Sequence, residues 1–238
     1  MSSPFHVGEQ WVQARAGVRE KAEQIGNRMI RSAMPEQHRE FFAQLPALLV
    51  AAVDSEGQPH ASVLCGAPGF AWSPHPALLS VDARPQADDP IASLLQPRAA
   101  VGLLGLEWPT RRRNRMNGRI VESDERGFSV AVAQSFGNCP KYIQAREWQA
   151  SPRLPGLMLE GDGLDEQWLM LVTDADTLFI ASRARTRTAA GWISRIVADR
   201  PVSSKSAGTA VSGYPITVAI GCSTRLAICC ASRAVGCC

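Results

Sequence analysis

The sequence predicts a mainly β fold with flanking helices, in which an antiparallel sheet closes toward a barrel. Three observations carry this. The first 46 residues hold two amphipathic helical stretches. From Ala47 the apolar period shifts from helical to alternating. Five or six short strands then follow, separated by turn signals and interrupted by one brief helix, which is the pattern of a small antiparallel barrel rather than a doubly wound sheet.

Taken in order, GVREKAEQIGNRMI sets Val18, Ala22, Ile25 and Met29 on one helical face with charges opposite. SAMPEQHREFFAQLP places Pro35 near a helix start, with Phe41, Phe42 and Leu45 as the apolar side. LLVAAV, DSEG and QPHASVL read as strand, turn and strand, with Asp54, Ser55 and Gly57 supplying the turn chemistry. GAPGFAWSPHP reads as a Gly/Pro-rich loop and ALLSVD as a strand. DDPIASLL is a short helix with Asp88 or Asp89 as cap and Pro90 in its first turn. AAVGLLGLE, GRIVESD and GFSVAVAQSF supply three more strands, GNCP a loop, and KYIQAREW a helix. ASPRLPG then reads as a linker, LDEQWLMLV as helical, and DADTLFIASR as a turn leading into a strand.

Composition narrows the class. A chain of 238 residues with 45% hydrophobic and 20% charged residues can bury a core, and no apolar run approaches the roughly 20 residues that span a bilayer. The opening MSSPFHVGEQWVQARAG lacks the basic and apolar regions of a secretory signal, so a cytoplasmic location is expected. Charge is uneven. From position 184 onward seven basic residues stand against Asp199 alone, giving +6, while the preceding residues, with 18 basic and 21 acidic, carry −3. An acidic body argues against nucleic acid as the partner.

The densest basic stretch is TRRRNRMNGR. If extended, it puts Arg111, Arg113 and Arg115 on one face with Arg119 close by, and arginine's forked donors suit phosphate. The purely structural alternative is a solvated edge strand, or arginines paired with Glu107 and Glu122. QSFGNCPKYIQ places Gly137, Asn138, Cys139, Pro140 and Lys141 between a strand and a helix start, where backbone donors can meet an anion. With no histidine near Cys139 in sequence, a buried or structural thiol is expected there rather than a nucleophile. His6, His38, His60 and His75 show no metal-ligand spacing, and His38 on its helix can cap or pair. No GxSxG, HExxH, Walker or Rossmann string occurs, which argues against a self-contained hydrolase, zinc protease or nucleotidase.

The strings MPEQHREFFAQLP, VDSEGQPHAS, GAPGF, GLLGLE, TRRRNRMNGR and QSFGNCPKYIQ resemble the FMN-binding split-barrel proteins of the pyridoxamine 5'-phosphate oxidase-like superfamily. More narrowly they are similar to a bacterial branch with two barrel-like repeats per chain, sometimes joined to a ferredoxin reductase module. The likeness runs from about Gly8 to Arg183. It implies an antiparallel split barrel, a homodimer with FMN in a cleft at the dimer interface, and Arg, Lys, Ser and Thr side chains on the flavin phosphate. Relatives of this barrel also use a deazaflavin or haem. The residues onto which a flavin or anion contact carries over are Arg113, Arg115, Asn117, Arg119, Ser135, Asn138 and Lys141. The implied function is that of an FMN-dependent oxidoreductase, impaired, with FMN binding weakened or lost, if the second repeat is missing, with a redox partner reductase, no nucleic acid and no membrane. The alternative is a non-catalytic flavin- or partner-binding split barrel, or an electron-transfer adaptor.

In that branch the segment after FIAS runs into a second repeat with strings such as VDISHRGG, DYRGN and NTLGNL. The chain instead ends in GCSTRLAICCASRAVGCC, with Cys222, Cys229, Cys230, Cys237 and Cys238 in its last 17 residues. Adjacent cysteines without a CxxC are a poor tetrahedral zinc set. The codon table supplies a different account. Reading GWISRIVADRPVSSKS one nucleotide earlier, Trp192 must be TGG and Ile193 begins AT, so the spanning codon is GAT, aspartate. Under the same restrictions that stretch permits VDISHRGGPAGFVKV, and GYPITVAIGCSTRLAIC permits LSDYRGNRLFNTLGNL. The expected organisation is N-terminal helices over 1–46 and a first repeat over 47–148. A linker, a helix and the start of a second repeat follow over 149–183, and an out-of-frame tail over 184–238.

Overall fold

The computed structural model describes residues 3–140, 143, 145–147, 177–183, 195–199, 216–219 and 226–232. Three helices precede the sheet: α1 (Val7–Arg15), α2 (Arg19–Met29) and α3 (Glu36–Ala43). His6 starts α1, because its Nδ1 accepts from the Gly8 and Glu9 amides while the Glu9 carboxylate accepts from the His6 amide, closing a capping box. The apolar stripe expected of α2 does not enter the core: Val18, Ile25 and Met29 are 44%, 47% and 49% exposed. The helix instead docks through Gly26, against which the Phe5 ring sits so close that a Cβ would lie 2.5 Å from it. In α3 the expected face holds, with Phe41, Phe42 and the following Leu45 fully buried.

Seven strands follow: β1 (Ala47–Val53), β2 (Pro59–Cys65), β3 (Ala71–His75), β4 (Leu78–Val81), β5 (Ala100–Glu107), β6 (Arg112–Ser123) and β7 (Phe128–Asn138). They pair in the order β2-β1-β5-β6-β7-β4-β3, every neighbour antiparallel. Leu64 of edge strand β2 and Ala71 of the opposite edge strand β3 belong to the same buried cluster as Val50, Leu103, Met116 and Val130 from the strands between. A flat sheet cannot bring both edges to one core, so this one curls around it. The expected mainly β, antiparallel barrel-type fold with flanking helices is what the chain adopts.

Two strands lie where the sequence reads otherwise. Ala71–His75 is an edge strand inside the expected Gly/Pro loop, and β6 begins at Arg112, so most of the basic stretch is strand. The short helix is present as a 3-10 turn, Pro90–Leu94, capped by Asp89, whose Oδ1 accepts from the Ile91 amide at 3.0 Å. Of the expected helix KYIQAREW, residues 143 and 145–147 are described and none is helical; Ile143 is buried and its amide donates to the Pro140 carbonyl at 3.2 Å. The linker and the helix expected at ASPRLPG and LDEQWLMLV lie outside the described residues.

A second sheet contains β8 (Thr177–Arg183), the strand expected at TLFIASR, with β9 (Arg195–Asp199), β10 (Ile216–Ala219) and β11 (Leu226–Ser232) in the order β10-β11-β8-β9. Phe179 and Ala181 of β8 are buried against Leu49, Ala51, Ala61, Leu104 and Leu106, the face of β1, β2 and β5 that points away from the main core. Among the described residues no helix is long and apolar enough to cross a membrane.

Candidate functional site

Strand alternation on β6 sorts the basic stretch into two sets. Asn114 and Met116 point inward. Arg113, Arg115 and Asn117 point outward, opposite Leu106, Leu104 and Gly102 of β5 on one side and Asn138, Phe136 and Gln134 of β7 on the other. The outward set is nonetheless buried, at 9%, 6% and 3% exposure. A buried guanidinium is tolerated only where its donors and its charge are answered. Arg113 Nε donates to the Cys139 carbonyl at 2.9 Å, and Arg115 stands 5.7 Å over the Phe136 ring. Asn117 Nδ2 donates to Gln134 Oε1 at 3.0 Å, and Gln134 Nε2 donates onward to the Pro4 carbonyl at 2.9 Å.

Two acceptors on this face have no such answer. Asn117 Oδ1 and Asn138 Oδ1 are buried without a hydrogen-bond partner. Asn138 is the ladder partner of Arg113, so both orphans lie beside the guanidiniums. The result is a short polar strip, rich in cationic donors and holding two unmet acceptors, bordered by the apolar Leu104 and Leu106. Such a strip suits a ligand with both an anionic group and N–H or O–H donors.

The structure thus brings together Arg113, Arg115, Asn117 and Asn138 from the expected set. Arg119 lies six residues from Arg113, about 20 Å along an extended strand, is exposed, and donates to the Arg98 carbonyl. Lys141 lies outside the described residues. Cys139, expected to be a buried or structural thiol, is exposed.

Ser135 falls on the inward face, where it is fully buried and its Oγ lies 2.8 Å from His38 Nδ1. Burial, then the charges of Arg112 and Arg31, hold the His38 imidazole below the ordinary histidine range. Phe136 and Gln134 were not among the expected site residues; only the ladder pairing with β6 reveals them. No group of three or more potential metal ligands occurs among the described residues.

No protein-family model matches the chain, and no curated protein matches it. Solved structures similar to it include HupZ from Group A Streptococcus, at 12% identity and a TM-score of 0.34, covering 44% of this chain and 94% of that one. A variant of HupZ gives 11% identity and a TM-score of 0.35, with coverage of 44% and 99%. A candidate pyridoxamine 5'-phosphate oxidase from Lactobacillus delbrueckii gives 16% identity and a TM-score of 0.33, with coverage of 44% and 95%. At such scores these likenesses decide nothing about activity.

Proposed function

We propose that this protein is a flavin-binding split-barrel protein of the oxidoreductase type, with FMN held on the outward face of β6 and β7 in a homodimer. The observation that carries the reading is the juxtaposition of two buried guanidiniums, Arg113 and Arg115, with two orphaned buried acceptors, Asn117 Oδ1 and Asn138 Oδ1. FMN presents a dianionic phosphate, ribityl hydroxyls and a ring N–H beside a flat apolar system, so its donors and charges complement this strip. Arg113 and Arg115 would hold the phosphate, Asn117 and Asn138 would accept from hydroxyl or ring N–H, and Leu104 and Leu106 would border the ring. Bound FMN supplies hydride or single-electron transfer; the chain binds it, orients it and excludes water.

One feature favours a second reading, a non-catalytic flavin module or electron-transfer adaptor that meets a reductase. The residues of the strip, Arg113, Arg115, Asn117, Gln134, Phe136 and Asn138, include no group that exchanges a proton near neutral pH. The test is titration of the full chain with FMN and with riboflavin, followed by flavin fluorescence, then addition of NADH or NADPH. Tighter binding of FMN than of riboflavin, lost in Arg113→Gln/Arg115→Gln, supports the site. Turnover of the nicotinamide selects the oxidoreductase, bound but unreduced flavin selects the module, and equal, negligible binding of both flavins rejects the proposal.

A further inference from the structure

The inward side of the same two strands carries a second polar group, beneath α3. Arg112 donates to the Gln37 carbonyl at 2.9 Å and lies 4.8 Å over the Phe41 ring, while His38, the next residue of α3, meets Ser135 at 2.8 Å. Asn114 stands on the inward face two residues past Arg112, and its ladder partner Gly137 is two residues past Ser135. It therefore lies under the helical turn that spans these two anchors. Asn114 is 3% exposed and its Nδ2 is a buried donor with no partner. Gly105 and Gly137 flank it across the ladders; Leu45, Phe41 and Phe42 pack over Gly105, while the Gly137 side is open.

The charges that act on the His38 ring are both positive, those of Arg112 and Arg31. Arg31 is fixed beside the group by reciprocal backbone hydrogen bonds with Ser135, at 3.0 and 2.7 Å. Neither Arg31 nor Arg112 forms an ion pair among the described residues. Of the nearby carboxylates, Glu36 pairs with Arg39, while Glu107 stands across the ladder from Arg112 and accepts from the neutral Gln44 and Thr110. β7 offers only the uncharged Ser135. Two arginines near the imidazole and a buried, orphaned amide donor together suit an acceptor that is negatively charged.

We propose that Arg31, His38, Arg112 and Asn114 form a binding site for an oxyanion, phosphate or carboxylate, on the face opposite the flavin strip. Binding of the anion offsets the two arginine charges that oppose protonation of His38, so anion and proton bind cooperatively. This site and the flavin strip lie on different faces of β6, and the failure of either leaves the other standing.

The test is NMR titration of the histidine rings in the full chain without flavin, in sodium chloride and then in inorganic phosphate or acetate at matched ionic strength. His38 is identified as the resonance missing from His38→Gln. The expected result is a rise in the His38 titration midpoint with phosphate or acetate and, for acetate, whose own charge is constant over this range, binding about tenfold tighter at pH 6 than at pH 8. A rise with phosphate alone assigns a phosphoryl group, and one with acetate, a carboxylate. Arg112→Gln, which is half-exposed, should weaken binding about tenfold or more. An identical His38 titration in chloride, phosphate and acetate overturns the proposal, and because it is read on the unmodified chain it does not depend on whether a variant folds.

Discussion

His60 Nε2 lies 2.9 Å from Asp54 Oδ2, so the second strand of the β1–β2 hairpin is clamped to the first residue of its own turn. The other carboxylate oxygen accepts from the Gln58 amide at 2.7 Å. Burial works to raise the Asp54 carboxyl, but the hydrogen bonds from His60 and Gln58 outweigh it and hold the group below the ordinary carboxylate range. A carboxyl depressed in the folded state contributes stability that is present above its unfolded value, about 3.9, and is lost as pH falls through the folded one. Asp54→Asn should therefore flatten the loss of stability below about pH 4 and cost about 1–2 kcal/mol at neutral pH, read by urea unfolding at a series of pH values. Parallel acid limbs for the two proteins would show that the pair carries no linkage.

Gly118, the one glycine of β6, faces a severe steric limit. A Cβ there would lie 2.1 Å from the Ala131 carbonyl oxygen and 2.7 Å from Val130 Cγ1, next to the point where the β6–β7 register shifts. The obstacle includes backbone, which cannot rotate away. Gly118→Ala should cost about 3 kcal/mol or more, or prevent folding. Gly17→Ala, at φ 68° with nothing within 4 Å, should cost only about 1–2 kcal/mol. Comparable thermal midpoints for the two variants would contradict the packing argument.

The contrast between these positions shows where the sequence is legible. The β1–β2 hairpin and the Phe41–Phe42 face of α3 follow from period and turn chemistry, because local preference and tertiary burial agree there. The α2 stripe misleads because Phe5 and Gly26, not the apolar face, make the contact. Strand β3 is hidden by Pro74, which an edge strand tolerates and a central strand does not. Arg113 and Arg115 look solvated by composition, yet alternation places them on one face, and that placement was readable. Ser135 and Asn138, three apart in a strand, belong to opposite faces; reading QSFGN as the approach to a loop concealed it. The pairing of His38 with Ser135, 97 residues apart, has no local signature at all.

Gln134 joins the candidate site to the start of the chain, accepting from Asn117 and donating to the Pro4 carbonyl. Gln134→Leu keeps the approximate volume but removes both bonds, leaving Asn117 with two unanswered polar atoms instead of one. The expected cost is about 1–3 kcal/mol. Because Pro4 and Phe5 anchor α2 through Gly26, amide exchange across α1 and α2 should accelerate in this variant while α3 remains protected. Unchanged exchange in α1 and α2 would mean that the Gln134 bond does not hold the N-terminal helices.

The out-of-frame account of residues 184–238 makes a prediction at the level of DNA. Three properties of that stretch need separate explanations if it is the intended sequence: five of the chain's seven cysteines, seven basic residues against a single acid, and the absence of any phenylalanine. One displaced nucleotide accounts for all three, since TTC and CTG codons read off register yield cysteine, serine and alanine combinations in place of phenylalanine and leucine. The same displacement permits VDISHRGG and NTLGNL in order. Sequencing the source genome and the expressed coding DNA from codon 180 onward should reveal a single inserted or deleted base between about codons 180 and 195. The repaired chain should then bind FMN more tightly than the present one, because the second repeat would supply further phosphate donors. A genome that encodes the present frame throughout would overturn this account, and β9, β10 and β11 would then stand as genuine partners of β8.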